Sequence, residues 1–505
     1  MHVYIHIYIY IPSKSYIVSL TVIASDSYTA MAKYLLLLLV SILGAAASTQ
    51  SRSCNQVYSV IDYGAVGDGD TDDTQVLLFI YLFIYFITNI CCPPINMIIS
   101  LSQAFKDAWK DVCKSTSCSP IIQVPGGKTF LLQPLTFNGE CKPDQIIFQV
   151  LNLITPYIII TQCFRILVFI ITMLLTVPKS KMLDGTIKAP SDPNDWNCHG
   201  NKYCKQWITF DEVANLVIRG SGTVDGRGST WWERHSSCKG HKHKDKRVCG
   251  KKPTGLTISH SQNVHLEGLT FKDSPQMHIA FDRAEWVYAS NLTIQAPGDS
   301  PNTDGIHLQH AKNIFIDHSR IMTGDDCISI GDGSSQINIS RIACGPGHGI
   351  SIGSLGIDGE NETVEDVHVS FVVFTDTTNG ARIKTWQGGK GFARNIVFEN
   401  IRSEGARNPI IIDQYYCDHK HCTEHSSAVK ISNIRYENIY GTSRRKPAVH
   451  IACSKAVPCT DILLNNIHLE AVDGDGDDGD EPSAFCSNVQ GHAIGHVFPP
   501  LPCLS

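Results

Sequence analysis

Four short phrases rich in charged residues follow one another along the second half of the chain. They are Asn302-Thr-Asp304, Gly324-Asp-Asp326, Gly347-His-Gly349 and Arg382-Ile-Lys384. Three carboxylates gathered in one cleft repel one another, so at least one is expected to hold a proton near neutral pH. A protonated carboxyl beside an ionised one is what a glycosidase uses to protonate the leaving oxygen and to activate water. A lone Asp-Asp pair is more often part of a turn, so the chemistry depends on a fold that brings the four phrases together.

Short β-branched runs punctuated by Gly, Asn or Asp recur from about residue 208 onward, and several consecutive runs are 23 to 30 residues apart. A fixed period of this size predicts a solenoid. Helical periodicity is nearly absent, which favours a parallel β-helix over paired helices. The Leu-x-x-Leu-x-Leu phrase of leucine-rich repeats is missing. The hairpin turns that a β-sandwich would need are sparse. The runs are 215–218, 263–266, 291–294, 313–316, 337–339, 367–369, 395–398, 433–436 and 462–464.

The spacing of the four phrases matches coils of such a solenoid. Asp304 and Asp325 are 21 residues apart, and Asp325 and His348 are 23 apart. Arg382 follows 34 residues after His348, and Tyr416 follows another 34 residues later, which suits one longer coil each. Residues one coil apart stack about 4.8 Å from each other. We therefore expect the acids and the histidine to form a ladder on one surface.

The longer phrases around these residues resemble a known family. Residues 300–307 (SPNTDGIH), 323–330 (TGDDCISI), 344–353 (CGPGHGISIG) and 382–386 (RIKTW) are similar to plant polygalacturonases of glycoside hydrolase family 28. The resemblance runs from about Val60 to Cys503. It implies an all-β, right-handed parallel β-helix that hydrolyses α-1,4 bonds between galacturonic acid units with inversion, without a cofactor or metal.

The resemblance also implies a role for each matched residue. Asp325 would be the general acid, with His348 supporting its protonation and geometry. Asp304 and Asp326 would hold and activate the water. Arg offers a two-pronged fit to a carboxylate and Lys a point charge, which suits an anionic pectic polysaccharide as partner. The residues implied in substrate binding are Asn302, Arg382, Lys384 and Tyr416.

The first 48 residues do not read as part of the fold. We interpret 1–30 as spurious upstream translation, because its His-Ile-Tyr-Ile repeat is what an alternating dinucleotide repeat encodes. Residues 31–48 have the positive start, short apolar centre and small-residue end of a secretory signal peptide. A membrane anchor is the alternative, but the apolar run is short for a span. We expect 49–505 to be one β-helix domain of a monomeric protein secreted to the cell wall.

Two apolar stretches, 76–103 and 150–181, are out of character with the rest of this domain. The first stretch has no Lys, Arg, Asp or Glu. Each stretch follows Gln, begins with Val, whose codon starts with GT, and can end on a codon finishing AG. GT and AG are the boundary signals of introns. We interpret them as retained introns; a pair of membrane segments is the alternative. Deleting the first joins Gln75 to a helix over 104–112, which would cover the open end of the solenoid.

Net charge and cysteine content bear on the type of partner and on the cellular compartment. The 505 residues carry 42 basic and 48 acidic side chains, a net charge of −6 that does not suggest nucleic-acid binding. The 19 Cys are many for a reducing compartment. Local bridges are reasonable for the pairs 113/118, 198/204, 327/344, 417/422 and 453/459.

Three alternative functions stay open at this stage. The chain could hydrolyse rhamnogalacturonan or xylogalacturonan with the same fold. It could be a calcium-dependent pectate lyase, which shares the solenoid. It could also be a non-catalytic cell-wall protein, if the two apolar stretches are translated.

Overall fold

A computed structural model describes residues 2–11, 14–23, 55–72, 104–151, 185–198, 204–238, 252–417, 425–472 and 482–504. The chain divides into two compact units, Met1–Cys54 and Asn55–Ser505. The described part of the first unit is one antiparallel pair, β1 (His2–Ile11) and β2 (Lys14–Ile23). The interpretation of 1–30 as spurious translation stays a prediction, and the signal peptide predicted over 31–48 lies outside the described residues.

The second unit is built almost entirely of short strands. Two α-helices are described, α1 (Ala104–Lys114) and α2 (Ser229–Cys238), with 3₁₀ turns at Val60–Tyr63, Pro193–Asp195 and Ile357–Gly359. The strands are β3 (Val57–Ser59), β4 (Asp68–Asp72), β5 (Ile121–Val124), β6 (Thr129–Leu131), β7 (Leu135–Asn138), β8 (Ile146–Val150), β9 (Thr186–Lys188), β10 (Gln206–Asp211), β11 (Ala214–Gly220), β12 (Thr223–Asp225), β13 (Thr254–Ser259), β14 (Gln262–Glu267), β15 (Thr270–Lys272), β16 (Ile279–Asp282), β17 (Glu285–Ser290), β18 (Thr293–Gln295), β19 (Ile306–Gln309), β20 (Lys312–Met322), β21 (Ile328–Ile330), β22 (Ser334–Cys344), β23 (Ile350–Leu355), β24 (Asn361–Thr375), β25 (Asn379–Trp386), β26 (Lys390–Ala406), β27 (Asn408–Tyr416), β28 (Lys430–Ser443), β29 (Val449–Ala452), β30 (Cys459–Ala471), β31 (Ala484–Ser487) and β32 (Val489–Phe498).

These strands pair in parallel as successive coils of one solenoid. An eleven-strand sheet takes one strand from each coil, in the order β7, β10, β13, β16, β19, β21, β23, β25, β27, β29 and β31. A nineteen-strand sheet takes the remaining strands of the unit. Every step returns to a parallel neighbour, and connections between parallel strands favour the right-handed crossover. The predicted all-β, right-handed parallel β-helix is confirmed.

The core is a set of aliphatic stacks that run along the solenoid. In the eleven-strand sheet, Ile306 pairs with Ile328, and Ile328 pairs with Ile350. All three side chains are fully buried. Since side chains alternate between the two faces of a strand, the residues that follow each isoleucine face outward. The buried stacks therefore fix the register of everything displayed on the outer surface of this sheet.

Asparagine begins many of the β-branched runs because the chain turns there. Asn215 and Asn263 have φ of 55° and 53°, in the left-handed region that Asn tolerates better than most residues. The Nδ2 of Asn263 donates to the Oδ1 of Asn215 in the preceding coil at 2.6 Å. The same residue type therefore makes the corner and links neighbouring coils.

The helix predicted over 104–112 is confirmed as α1. Its buried side chains are Ala104, Phe105, Ala108, Trp109 and Val112. The Trp109 ring lies 5.1 Å from that of Phe137 and 5.6 Å from that of Phe210, and its Nε1 donates to the carbonyl of Asn138 at 2.9 Å. The helix packs onto the first coils through this aromatic cluster.

The local pairing of cysteines is partly confirmed. The bridges Cys198–Cys204, Cys327–Cys344 and Cys453–Cys459 form as expected, and Cys486–Cys503 is a further one. The pair 113/118 is wrong, because Cys113 bonds Cys141. The backbone of Lys142 donates to the carbonyl of Cys113 at 2.9 Å, so coil winding brings residue 141 next to the end of α1. For the pair 417/422, Cys422 lies outside the described residues.

The first of the two apolar stretches, 76–103, lies outside the described residues. Of the second, Val150 is the last residue of β8, is buried, and pairs with Val124 and Gly220. Deleting 150–181 would place Met182, another apolar residue, after Gln149. Both intron assignments stay predictions. Among the residues that the structure describes, no helix is both long enough and apolar enough to cross a membrane.

Candidate active site

The four charged phrases converge on the outer face of the eleven-strand sheet. Asp304 lies two residues before β19, Asp326 two before β21 and His348 two before β23. The pairing of Ile306 with Ile328 and of Ile328 with Ile350 makes each of these coils 22 residues long. Arg382 and Lys384 lie on β25, in the next coil. The fold therefore brings together the residues that the spacing predicted.

Asp326 is held as an ionised carboxylate. Its Oδ1 accepts hydrogen bonds from Arg382 Nη2 and from Ser351 Oγ, the latter at 2.9 Å. Its Oδ2 accepts from Lys384 Nζ at 3.0 Å. The residue is 1% exposed, and burial alone would raise its pKa, but the charges of Arg382 and Lys384 outweigh burial and lower the pKa of Asp326 below its usual value.

Asp304 is in the opposite situation. It is 8% exposed, and its Oδ2 accepts one hydrogen bond, from Ser329 Oγ at 2.7 Å. Burial, and then the negative charges of Asp325 and Asp326, raise the pKa of Asp304 to about 7. Of the two carboxyl groups, Asp304 is therefore the one whose pKa is raised into the neutral range, while that of Asp326 is lowered.

Asp325 is the accessible member of the three. Its side chain is 21% exposed, against 2% for that of Asp326. The His348 Nδ1 lies 3.1 Å from Asp325 Oδ1, and the backbone N–H of His348 donates to the Asp325 carbonyl at 2.7 Å. These contacts orient the Asp325 carboxyl group from the following coil.

Two glycines make the close approach of these coils possible. A Cβ on Gly324 would lie 2.1 Å from the carbonyl oxygen of Ser300, and one on Gly349 would lie 2.3 Å from that of Asn379. Gly349 also has φ of 85°, in the left-handed region that favours glycine. Any side chain at either position would push its turn away from the neighbouring coil.

The remaining predicted residues border the same surface. Lys384 Nζ lies 5.4 Å from the centre of the Tyr416 ring, a cation–π distance. The Tyr416 ring stands edge-on to Trp386 at 5.2 Å. Asn302 is exposed, with φ of 59°, on the turn that leads to Asp304.

Sequence reasoning missed three residues, His307, Ser329 and Ser351. They lie inside the phrases GIH, CISI and GISI that identified the site, each one position after a buried isoleucine. The signal was there, because strand alternation places the residue after each isoleucine on the outward face. Ser329 and Ser351 each bond one of the buried carboxylates.

The same cluster has a spacing that a cation could use. One ligand atom from each of Asp325, Asp326 and His348 lies within 4.8 Å of the other two. Both oxygens of Asp326, however, already accept hydrogen bonds from positively charged groups. The charges of Arg382 and Lys384 oppose a third positive charge at this point.

The parallel solenoid and the cluster of acids on one face define a β-helical glycoside hydrolase. The chain belongs to the glycosyl hydrolases family 28, whose sequence profile matches residues 113–495. It is 42% identical over 432 residues to a polygalacturonase of Persea americana, covering 85% of this chain and 76% of that one. It is 40% identical over 459 residues to a probable polygalacturonase of Arabidopsis thaliana, covering 91% and 86%.

Solved structures share the fold. An exopolygalacturonase from Thermotoga maritima aligns with a TM-score of 0.61 and 20% identity over 87% of this chain and 91% of that one. A polygalacturonase from Erwinia carotovora aligns with a TM-score of 0.57 and 23% identity over 77% and 92%.

Proposed function

We propose that this protein is a polygalacturonase, which hydrolyses α-1,4 bonds between galacturonic acid units of pectic polysaccharide with inversion. The observation that carries the proposal is the pair of cations, Arg382 and Lys384, beside three carboxylates on the outer face of the eleven-strand sheet. A uronic acid polymer brings one carboxylate per sugar to such a surface. The family membership and the names of the relatives support the same substrate class.

Asp325 is proposed as the general acid. It is the most accessible of the three carboxyl groups, and His348 orients it from the next coil. A proton on Asp325 passes to the glycosidic oxygen as the bond to the anomeric carbon breaks. In the proposed active form, the proton is on Asp325 and Asp304 is ionised.

Asp304 and Asp326 are proposed to hold the water that attacks the opposite face of the sugar ring. Asp326 is a fixed anion that accepts the water's hydrogen bond, since Arg382 and Lys384 keep it ionised. Attack by water from the face opposite the leaving oxygen inverts the configuration at the anomeric carbon.

Arg382 and Lys384 are proposed to bind the substrate carboxylate. Their side chains are 12% and 11% exposed, so each presents a small charged surface while anchored on Asp326. The Tyr416 ring, beside Lys384, provides an apolar wall for the same sugar, and Asn302 is proposed to contact the substrate from the turn beside Asp304.

We propose that the protein is secreted to the cell wall and acts as a monomer. Disulfide bridges persist in oxidising compartments, and the described part of the chain contains bridges in its first, middle and last coils. The signal-like segment 31–48 supports the same route.

The test is expression of the chain without 1–30, 76–103 and 150–181, followed by measurement of reducing ends released from polygalacturonate. Release from polygalacturonate in excess of that from rhamnogalacturonan and xylogalacturonan supports the proposal. A product with a new double bond, formed only without a chelator, would instead identify a lyase. Binding to pectin without any release would identify a non-catalytic wall protein.

A further inference from the structure

Four residues in successive coils form a single row beneath the catalytic carboxylates. His307 pairs with Ser329, Ser329 with Ser351 and Ser351 with Arg382 in the register of the eleven-strand sheet. Their side chains face outward, because Ile306, Ile328 and Ile350 occupy the buried positions beside them. The two serines occupy equivalent positions one coil apart, and each contacts a different carboxylate.

Ser351 has a hydrogen-bonding direction that cannot reverse. Its Oγ accepts from Arg382 Nε at 2.8 Å, and a guanidinium group has no acceptor. The Ser351 hydroxyl proton therefore points at Asp326 Oδ1, 2.9 Å away. This arrangement suits only the ionised form of Asp326.

Ser329 has a direction that can reverse. Its Oγ lies 2.7 Å from Asp304 Oδ2 and 2.8 Å from His307 Nδ1. Burial lowers the pKa of His307 to about 4, so the ring is neutral in the working range. A neutral imidazole Nδ1 either donates or accepts, depending on its tautomer.

Two arrangements of Asp304, Ser329 and His307 give both contacts of Ser329 Oγ a donor and an acceptor. With Asp304 ionised, His307 Nδ1–H donates to Ser329, and Ser329 donates to Asp304. With Asp304 protonated, Asp304 donates to Ser329, and Ser329 donates to His307 Nδ1, whose ring proton is then on Nε2. Passage between the two tautomers releases one ring proton to solvent and takes one from it, and the ring stays neutral.

We propose that Ser329 and His307 are positioning residues that allow Asp304 to take the proton from the attacking water. In one turnover the water oxygen bonds to the anomeric carbon, and the bond from that carbon to the glycosidic oxygen breaks. The leaving oxygen keeps the electron pair and takes the proton of Asp325. The water proton goes to Asp304, and a proton returns to Asp325 through solvent before the next turnover.

This inference rests on the proposed function and extends it to residues outside the acid trio. The charged and titratable groups that face Asp304 and His307 are Asp282, Asp325, Asp326, Lys384 and, through the backbone carbonyl of Asp304, His278. His278 is fully buried, and burial lowers its pKa.

The kinetic test compares Ser329→Ala with Ser351→Ala. A serine donor stabilises the ionised form of its carboxylate by about 1 kcal/mol, so Ser329→Ala should move the alkaline limb of the kcat profile upward by about 0.7 pH units. It should also lower kcat about 3- to 10-fold. Ser351→Ala should leave that limb in place, because Arg382 and Lys384 still hold Asp326 ionised. Ser329→Thr, which keeps the hydroxyl, should restore the wild-type limb.

Equal shifts in the two alanine variants, or no shift in Ser329→Ala, would overturn the assignment. Circular dichroism and thermal melting check the fold of each variant, and His307→Phe serves in place of Ser329→Ala if the latter does not fold. A phenyl ring can neither donate to Ser329 nor accept from it, so the same loss of kcat is expected.

A second measurement needs no activity. In protein labelled with ¹⁵N-histidine, the His307 signals, identified by their loss in His307→Gln, should change from the Nε2–H to the Nδ1–H tautomer as pH rises through about 7. The ring should not become an imidazolium in this range. If the wild-type protein hydrolyses polygalacturonate but the His307 tautomer does not change, this inference alone is overturned. If the tautomer changes but the wild-type protein has no activity, the hydrogen-bonded row is supported and the proposed function is refuted.

Discussion

Asp304 and Asp326 lie at equivalent positions of successive coils, each two residues before its strand, yet their pKa values are shifted in opposite directions. Two cations lower the pKa of Asp326, while burial and neighbouring carboxylates raise that of Asp304 to about 7. The difference arises from the next coils, because Arg382 and Lys384 reach Asp326. A repeated backbone thus produces two chemically distinct acids from one residue type.

Removing the proposed acid should abolish turnover without unfolding the protein. Asp325→Asn keeps the size of the side chain and its contact with His348 but cannot deliver a proton. General acid catalysis contributes about 100- to 10,000-fold, so we expect a loss in that range in reducing-end release. Asp366→Asn, at an exposed position of β24, is the matched control and should keep wild-type activity. Near-wild-type turnover in Asp325→Asn would contradict the assignment.

The trio should set an upper pH limit on activity. Catalysis needs one proton on the carboxylate cluster, and the pKa of Asp304 of about 7 reports when that proton is lost. The value of kcat should therefore fall as pH rises through about 7. A profile that is flat from pH 6 to pH 9 would show that the cluster does not hold the catalytic proton.

Replacing Asp304 should abolish activity and raise the stability of the folded protein at high pH. The folded pKa of Asp304 is above its unfolded value of 3.8, so the folded state binds the proton more tightly. Stability therefore decreases as pH rises from about 4 to about 7, and the full cost, up to about 4 kcal/mol, is present above that. Asp304→Asn removes this cost.

Thermal melting of Asp304→Asn should thus show a higher Tm than the wild type at pH 8, with the difference shrinking toward pH 4, while turnover is lost. A Tm at pH 8 equal to or below that of the wild type would argue against a strained, buried Asp304 carboxylate.

Arg382 should affect both binding and chemistry, because it contacts Asp326 as well as facing the substrate. Arg382→Ala should raise KM for polygalacturonate about 10- to 100-fold, the effect of losing a hydrogen bond between charged groups. It should also lower kcat, since Ser351 and Asp326 lose a partner. Arg435→Ala, on the nineteen-strand sheet, removes an exposed arginine and should change neither parameter. An unchanged KM in Arg382→Ala would refute the carboxylate-binding role.

The bridge Cys327–Cys344 should support activity as well as stability. It joins the residue after Asp326 to the end of β22 and closes 17 residues, worth about 3 kcal/mol in the chain-entropy view. Replacing both cysteines by alanine should lower the Tm and kcat together. The same double replacement at Cys453–Cys459, far along the solenoid from the acids, should lower the Tm but spare kcat. Equal losses of kcat would mean that the Cys327–Cys344 bridge has no special role at the site.

The sequence was sufficient to predict the solenoid and the charged residues that it brings together, but not His307, Ser329 and Ser351. A 22-residue coil gives the sequence a repeat of that length, and charged residues one repeat apart lie in neighbouring coils on the same face. What it did not reveal depends on distances between side chains. The pKa values of Asp304 and Asp326 shift in opposite directions because Arg382 and Lys384 hydrogen-bond Asp326. The spacing of these residues in the sequence does not predict that contact.

The pairing of Cys113 with Cys141 was missed for a related reason. The sequence favoured the neighbour five residues away, whereas the winding of the chain brings a cysteine from 28 residues away against the end of α1. Linear proximity is a poor guide where each coil returns to the same corner.

The proposed catalytic groups come from separate turns, joined mainly by hydrogen bonds between neighbouring strands. Opening a single turn would part the proton donor from its water-binding partner while most of the scaffold stayed wound. Loss of function on heating should therefore precede the main melting transition. An assay of residual hydrolysis would then report damage that bulk spectroscopy overlooks.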